Sequence, residues 1–410
     1  MNNSTANENR RSFLKAGLAF SGITLLSPVL ATANTPEIGE KEFSITSGPY
    51  LQTEFNNEIS ILWITNSNCN SWIAYGELPE KLDKIAYGDG YLGLRPAGRL
   101  QCIKLKNLKP NCKYYYQIVS KEIVNFQPYK VSYGKTITSL TEHFVNPDLK
   151  KEEVSFVMLN DIHDRPNSIP ELLNLDKGNY RDFVFFNGDV FDYQTDEKQL
   201  IDHMIQPCVD YFAKTTPFLF VRGNHETRGK FARNLPEYFN NIAYTAFTLG
   251  PVRFVILDTG EDKEDIHPVY ADLVDFDSYR EGQALWLEQE INRKEFKKAA
   301  FRIVLMHIPP RYSGDGHGAE HCTKLFEPLM NKGKVDLVLS GHTHAYKIHP
   351  PVKGLNNYPI IIGGGPSTGK RTLTKVIATN KKVEVVMLND RGVEVGNYQV
   401  AKRYQVSSLQ

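Results

Sequence analysis

The chain has 410 residues, with 48 Lys and Arg against 47 Asp and Glu, so its formal net charge is only +1 at pH 7. Because there is no basic excess, no nucleic-acid partner is expected. The length exceeds the usual size of one domain, and two domains are expected. The five cysteines form no C-x-x-C pair, which excludes the common thiolate metal and redox motifs. Cys102 and Cys112 are expected either to form a disulfide bond or to be two buried thiols that face the same core.

The first 33 residues are expected to be an export signal rather than part of the fold. Residues 9–15 contain Arg10-Arg11 followed by Phe-Leu-Lys, a modestly apolar stretch covers 16–30, and small residues at 31–33 offer a cleavage site. This is the pattern of a twin-arginine signal peptide. The apolar stretch is shorter than the roughly 20 residues of a membrane-spanning helix, so no stable membrane anchor is expected. We predict a bacterial periplasmic or secreted protein whose partner in export is the twin-arginine machinery.

Residues 43–145 are predicted to form an all-β domain. Short alternating runs at 59–64, 71–75, 100–105 and 114–119 are separated by clusters of Asn, Gly and Pro. That spacing is typical of an antiparallel β-sandwich. The turn and strand at 105–116 resemble those of a fibronectin type III domain.

The remainder of the chain alternates buried strands with polar segments. Apolar runs at 154–159, 183–186, 218–221, 303–306 and 335–339 have the composition of buried parallel strands, and 252–257 is a sixth. A helix is predicted over 277–291, and runs at 358–362, 373–377 and 382–387 are expected to complete a second sheet. In open α/β sheets ligands gather at the carboxyl ends of strands, so the polar segments are expected to meet in one crevice.

These polar segments contain seven side chains suited to metal binding. The spacing of Asp161 and His163, like that of His342 and His344, is i and i+2, which places both side chains on the same side of an extended strand end. Oxygen and imidazole donors without a thiolate favour Fe, Mn, Zn or a mixture of them. Two such ions can clamp a phosphoryl group and generate a hydroxide nucleophile. The predicted ligands are Asp161, His163, Asp189, Asn224, His307, His342 and His344.

The order of the motifs D-x-H, G-D, G-N-H-E, H and G-H-x-H between residues 154 and about 350 resembles the calcineurin-like metallophosphoesterases, and within them the purple acid phosphatases. The resemblance implies a four-layer α/β/β/α catalytic domain over 150–410, preceded by a β domain like that of purple acid phosphatases. It implies that His225 protonates the leaving group or stabilises the transition state. One metal would be held by Asp161, His163, Asp189 and His344, and the other by Asp189, Asn224, His307 and His342.

Two positions depart from the purple acid phosphatase pattern. That family has an iron-binding tyrosine where this chain has Asp192, and glycine where it has His163, so an iron-tyrosinate colour is not expected. An aspartate at this spacing orients the catalytic histidine in related protein phosphatases, which suggests an Asp192–His225 dyad; a solvated acid is the alternative. The arginine that follows it in those enzymes is absent, and the candidates for a phosphate contact are Arg222, Arg311 and His317.

The predicted function is hydrolysis of a phosphate monoester by metal-bound hydroxide, with a small phosphorylated molecule as substrate. A phosphodiesterase acting on a small diester is one alternative. An exported protein that binds metal or phosphate without turnover is the other, and His225 argues against it because a binder needs no acid.

Overall fold

The computed structural model describes residues 42–240 and 243–403. The predicted export signal lies outside the described residues, so export stays a prediction. Among the helices within those two ranges, none is both long enough and apolar enough to cross a membrane.

Two antiparallel sheets face each other in the N-terminal part of the chain. One sheet has the order β1-β2-β5, and the other has the order β4-β3-β6-β7 with β8 also paired to β6. Trp63 and Ile103 from the first sheet pack with Tyr116 and Phe144 from the second in one buried cluster. All four predicted strands are present, while the fibronectin label stays a prediction. The strands are β1 (Ile45–Gln52), β2 (Ile59–Thr65), β3 (Cys69–Gly76), β4 (Lys84–Tyr87), β5 (Leu100–Leu105), β6 (Cys112–Gln127), β7 (Lys130–Thr138) and β8 (Glu142–Asn146).

The α/β part follows directly, and its helices alternate with short apolar strands. A π-helical turn at Ile201–Ile205 joins α2 to α3, and short 3-10 turns cover His225–Thr227, Lys230–Arg233, Leu235–Tyr238 and Pro268–Tyr270. In chain order the elements are β9 (Glu153–Leu159), α1 (Ser168–Asn174), β10 (Phe183–Asn187), α2 (Glu197–Leu200), α3 (Gln206–Tyr211), β11 (Phe218–Val221), β12 (Thr245–Leu249), β13 (Val252–Leu257), α4 (Phe276–Glu290), α5 (Lys294–Lys298), β14 (Phe301–Met306), α6 (His317–Lys332), β15 (Leu337–Ser340), β16 (Lys347–His349), β17 (Ile360–Ile362), β18 (Thr372–Thr379), β19 (Lys382–Asn389) and β20 (Glu394–Ala401).

Two six-stranded sheets form the middle of the α/β part. Their orders are β11-β10-β9-β18-β19-β20 and β12-β13-β14-β15-β17-β16. Phe156 and Phe183 of the first sheet pack against Phe254 of the second in a buried core. The outer face of the first sheet packs with α1 and α3, and the outer face of the second with α4, α5 and α6. The predicted four-layer α/β/β/α architecture is confirmed.

The strands beyond His344 differ from the prediction in one respect. Of the three predicted runs, only 358–362 joins the sheet of β14 and β15, as β17, whereas β18 pairs antiparallel with β9 and carries β19 and β20 beside it. The run 373–377 alternates buried and half-buried positions, which suits a strand with one face in the central core. The C-terminal strands therefore complete the first sheet.

The β-sandwich packs against the first α/β sheet and its helices. Tyr50 and Leu62 of the sandwich belong to the same buried cluster as α1 and α3. The Tyr50 hydroxyl donates to the carbonyl of Tyr238 at 2.9 Å, and the amide of Leu51 donates to the carbonyl of Ala213 at 2.9 Å. The sandwich thus has a packing role beside the catalytic part, and the exact boundary at 145–150 stays a prediction.

The cysteines adopt neither of the two expected arrangements. All five are free thiols; Cys102 is exposed and Cys112 is half-buried, on strands of different sheets. Cys102 and Cys112 therefore form no disulfide bond, and they are not two buried thiols facing the same core.

A buried asparagine joins the two α/β sheets where their strands end. The Asn187 side-chain amide, at the end of β10, donates to the carbonyls of Met306 and Leu339 at 3.3 and 3.1 Å. Since those residues lie at the ends of β14 and β15, the carboxyl ends of strands from both sheets meet at one edge. The polar segments predicted from the sequence follow these strand ends.

Candidate metal centre

The backbone is left-handed at five of the seven predicted ligands. The sequence predicted extended strand ends at 161–163 and 342–344, and this is wrong: each chain turns sharply as soon as its strand ends. A left-handed conformation in a residue other than glycine costs about 1–3 kcal/mol and concentrates at functional sites, and Asp and His tolerate it better than branched residues. The φ angles are 52° at Asp161, 51° at His163, 52° at Asp189, 74° at His342 and 56° at His344.

Four side chains converge to form the first donor set. His163 Nε2 lies 3.0 Å from His344 Nε2, 3.8 Å from Asp161 Oδ1 and 3.7 Å from Asp189 Oδ2. His344 Nε2 lies 3.2 Å from Asp161 Oδ1. Asp161, His163 and Asp189 are buried, whereas the side chain of His344 is 46% exposed. The set is therefore open to solvent on the His344 side.

A second donor set shares Asp189 with the first. His307 Nε2 lies 3.1 Å from Asp189 Oδ2, and His342 Nδ1 lies 3.0 Å from Asn224 Oδ1. Asp189, His307 and His342 have donor atoms close enough to contact one ion. The structure thus brings all seven predicted ligands together, in the two groups that the resemblance implied, with Asp189 common to both.

Two donor atoms of the two sets have no hydrogen-bond partner among the described residues. Asp161 Oδ1 and His307 Nε2 are buried and have no hydrogen-bond partner within residues 42–240 and 243–403. His163 Nε2 and His344 Nε2 face each other at 3.0 Å, a separation at which one metal ion could contact both atoms. Buried polar atoms without partners are costly, and bound metal ions would satisfy them.

The electrostatics of the centre also favour cations. Burial opposes ionisation of Asp161 and Asp189, but the neighbouring histidines keep the pKa of both carboxyls below its ordinary value. Burial opposes protonation of His163 and His307 as well, yet the same carboxylates raise their pKa to about 8 and about 10. Burial and the charge of His307 lower the pKa of His342 to about 4. The two carboxylates are therefore ionised and favour positive charge beside them, as expected of sites that hold hard or borderline cations.

Hydrogen bonds orient the ligand histidines. His307 Nδ1 donates to the carbonyl of Asn187 at 2.7 Å, and His163 Nδ1 donates to Asp192 Oδ1 at 2.8 Å. Each bond engages Nδ1, so that Nε2 is the ring atom that faces the donor set. Histidine ligands usually have an outer partner of this kind, which orients the ring and increases its basicity.

The Asp192 carboxylate does not pair with His225, and the predicted dyad is wrong in this detail. His225 Nδ1 donates instead to the backbone carbonyl of Asp192 at 2.7 Å, because the carboxylate is engaged by His163. The side chain of the neighbouring Tyr193 is 56% exposed. The two departures from the purple acid phosphatase pattern, His163 and Asp192, are thus hydrogen-bonded to each other.

Glu226 connects the two loops that carry Asp189 and Asn224. Its buried carboxylate accepts hydrogen bonds from the amides of Gly223, Asp189, Val190 and Phe191 at 2.6, 2.8, 2.7 and 3.1 Å. Burial and the charge of Asp189 raise the pKa of Glu226 to about 7. Cations bound beside Asp189 would offset that charge and favour the ionised form, which has the acceptors that four amides require.

His225 lies beside the shared carboxylate, next to an arginine that the sequence did not identify. The His225 amide donates to Asp189 Oδ1 at 3.0 Å, and Arg228 Nη1 lies 3.3 Å from His225 Nε2. Glu261 orients this arginine, because Arg228 Nε and Nη2 donate to the two oxygens of Glu261 at 2.8 and 2.9 Å. In the sequence, only the closeness of Arg228 to the G-N-H-E motif pointed to this arginine, because its partner Glu261 lies 33 residues further along the chain.

The three residues predicted to contact phosphate are each held by a carboxylate. Arg222 Nε donates to Asp258 Oδ2 at 2.7 Å, Arg311 donates to both oxygens of Glu327, and His317 Nε2 donates to Asp277. Their contact with substrate stays a prediction, and Arg228 is the better-placed cation because it already reaches His225.

Replacing Glu226 with Gln is expected to lower the free energy of unfolding by about 2–3 kcal/mol, since the new NH₂ group would face amide donors instead of accepting from them. Urea unfolding at pH 8, above the pKa of Glu226, measures this. Exposed Glu281→Gln is the matched control and should change stability by less than about 0.5 kcal/mol. Equal effects of the two substitutions would show that the carboxylate does not hold the loops.

Comparison with known proteins agrees with this geometry. Residues 154–346 match the calcineurin-like phosphoesterase family. Purple acid phosphatase 21 of Arabidopsis thaliana is 26% identical over 296 residues, and the alignment covers 70% of this chain and 62% of that protein. Phosphoenolpyruvate phosphatase of Allium cepa is 25% identical over 349 residues, covering 79% of this chain and 67% of that protein.

A solved structure shows the same fold. Purple acid phosphatase from yellow lupin seeds superposes with a TM-score of 0.65 at 18% identity, covering 87% of this chain and 74% of the other. This chain spans less than two thirds of the length of the Arabidopsis relative, at 62%. Residues 154–346 therefore belong to the calcineurin-like phosphoesterase family, in a chain whose relatives and fold are those of purple acid phosphatases.

Proposed function

We propose that the protein is a dinuclear-metal phosphatase that hydrolyses phosphate monoesters. The observation that carries the proposal is the pair of donor sets that share Asp189, with His225 hydrogen-bonded to the same carboxylate. The residues would hold two of Fe, Mn and Zn, because imidazole, carboxylate and amide donors suit these ions. When bound, the two ions supply a clamp for the phosphoryl group and a nucleophile near neutral pH.

His225 is proposed as the general acid. Its Nδ1 proton is committed to the carbonyl of Asp192, so Nε2 is the atom available for proton exchange. The hydrogen bond from the backbone amide of His225 to Asp189 keeps His225 at the edge of the centre. The residue is half-buried and therefore reachable by substrate. A proton delivered from Nε2 to the leaving oxygen would prevent the release of a basic alkoxide.

Arg228 supports a monoester as the substrate. Two of its guanidinium nitrogens are occupied by Glu261, which leaves Nη1 directed toward His225. A monoester dianion has one more charged oxygen than a diester, and a positioned guanidinium is a strong hydrogen-bond donor to such an oxygen. The Arg228 side chain is 26% exposed and so can meet a ligand.

The reaction class is tested by kcat/KM of the metal-loaded full chain on an aryl phosphate monoester and on the matching diester. A higher value on the monoester is expected, with Asn224→Ala near background because one ligand is lost. Preference for the diester would move the assignment to phosphodiesterase. No rate above that of Asn224→Ala on either substrate would favour a protein that binds metal or phosphate without turnover.

The general acid is tested with His225→Asn. We expect kcat on an alkyl phosphate to fall about 10²–10⁴-fold, because its leaving group needs a proton. The loss on a nitrophenyl phosphate should be smaller, since that leaving group is stable as an anion. His143→Asn, on strand β8 of the sandwich, is the matched control. Equal losses on both substrates would exclude proton donation as the role of His225.

The arginine contact is tested with Arg228→Ala. Loss of one charged hydrogen bond of about 1.5–3 kcal/mol should lower kcat/KM on the monoester about 10–100-fold, and on the diester less. Arg233→Ala, on a neighbouring exposed 3-10 turn, is the control with the same change of charge. An unchanged ratio of monoester to diester activity would mean that Arg228 does not select the dianion.

A further inference from the structure

Three side chains outside the two donor sets converge at the start of two helices. His317 Nε2 lies 2.9 Å from each oxygen of Asp277, and His321 Nδ1 lies 3.0 Å from Asp277 Oδ1. Their donor atoms are all close enough to contact a single ion. The proposed phosphatase mechanism gives no role to this cluster.

The helices hold the three side chains in place. His317 and His321 are separated by four residues at the beginning of α6 and therefore share one face of the helix, with ring centroids 5.6 Å apart. Asp277 lies in the first turn of α4, where its amide donates to Asp265 Oδ2 at 2.9 Å. Buried Arg280 donates to Asp277 Oδ1 at 2.9 Å and so orients the carboxylate. The cluster needs no rearrangement of the backbone to accept an ion.

The separations between donor atoms suit a small divalent ion. Zinc binds His nitrogen and carboxylate oxygen at about 2.0–2.2 Å in tetrahedral geometry, which places neighbouring ligand atoms roughly 3.3 Å apart. The observed separations of 2.9 and 3.0 Å are a few tenths of an ångström shorter, a difference that small side-chain rotations close. Two histidines and one carboxylate also leave a fourth position open, as zinc sites that bind water or a ligand do.

A simple ion pair explains His317 but not His321. His317 has hydrogen-bond geometry with both oxygens of Asp277. His321 Nδ1 is buried and has no hydrogen-bond partner within the described part of the chain, although Asp277 Oδ1 is only 3.0 Å away. A buried ring nitrogen beside a carboxylate oxygen, with no hydrogen bond between them, is an unmet polar contact that a cation held by both atoms would satisfy.

We propose that Asp277, His317 and His321 form a third metal site that binds Zn²⁺. Arg280 shares one carboxylate oxygen with the ion, and its positive charge should make this site weaker than the dinuclear centre. The site would connect α4 and α6 to the segment that orients Arg228. In that segment Asp262 accepts from the amide of Gly318 at its carbonyl and from Arg228 at its carboxylate, at 2.9 and 3.2 Å.

The test counts Zn²⁺ ions bound to the metal-stripped full chain by equilibrium dialysis and mass spectrometry. We expect three ions on the unmodified chain, two on His321→Ala and two on His317→Ala, with His143→Ala retaining three as the matched control. His317 is one-third exposed, so His317→Ala keeps the test valid should His321→Ala fail to fold. Equal numbers of ions on the unmodified chain and on either folded variant would overturn the proposal.

The same titration separates this site from the dinuclear centre. His307→Ala should remove metal from the centre while leaving the ion that His321→Ala removes. Should the unmodified chain bind one ion, lost in His321→Ala and kept in His307→Ala, the third site would stand and the dinuclear centre would fail. The opposite pattern, in which only His307→Ala loses metal, would leave the centre and exclude the third site.

Discussion

The centre depends on one buried carboxylate that never faces the substrate. Glu226 accepts four backbone amides from two loops, and those loops carry Asp189 and Asn224. Loops that follow strands from different positions of a sheet have no regular partners for their amides, so an acceptor must be supplied by a side chain. A carboxylate supplies two oxygens with several lone pairs, which an amide side chain cannot do. The loops that carry Asp189 and Asn224 are therefore held together by a side chain that is not itself one of the predicted ligands.

The left-handed backbone at the ligands, and the orientation of their side chains, also depend on the packing around these loops. Left-handed residues directly after the strands bring short polar side chains back over the strand ends, and the surrounding packing must maintain these conformations. Close packing leaves little room there: a Cβ atom at Gly223 would collide with Asp189, and one at Gly188 would collide with His307. At the two positions where purple acid phosphatases have glycine and tyrosine, this chain has His163 and Asp192, which form a hydrogen-bonded pair.

The acidic segment around residues 261–277 organises what surrounds the centre. Glu261 and Asp262 orient Arg228 beside His225, and Arg280, whose side chain is fully buried, donates to the carbonyls of Thr259 and Glu261. These contacts make one network from Arg228 to the helix starts of α4 and α6. Charged groups buried in such a network depend on one another, because removing one partner leaves another unpaired.

The sequence by itself determined the order of motifs, the seven predicted ligands and the strands that precede them, because these follow from residue type and local pattern. It also identified two unusual positions, His163 and Asp192, without showing that they touch. Only the tertiary structure decided which carboxylate orients which histidine, which arginine reaches His225, and where the C-terminal strands pair. The physical reason is that these contacts depend on pairings such as His163 with Asp192, Arg228 with Glu261 and β18 with β9, which join residues about 30 to 220 positions apart, and side-chain direction at a turn depends on the packing of both partners.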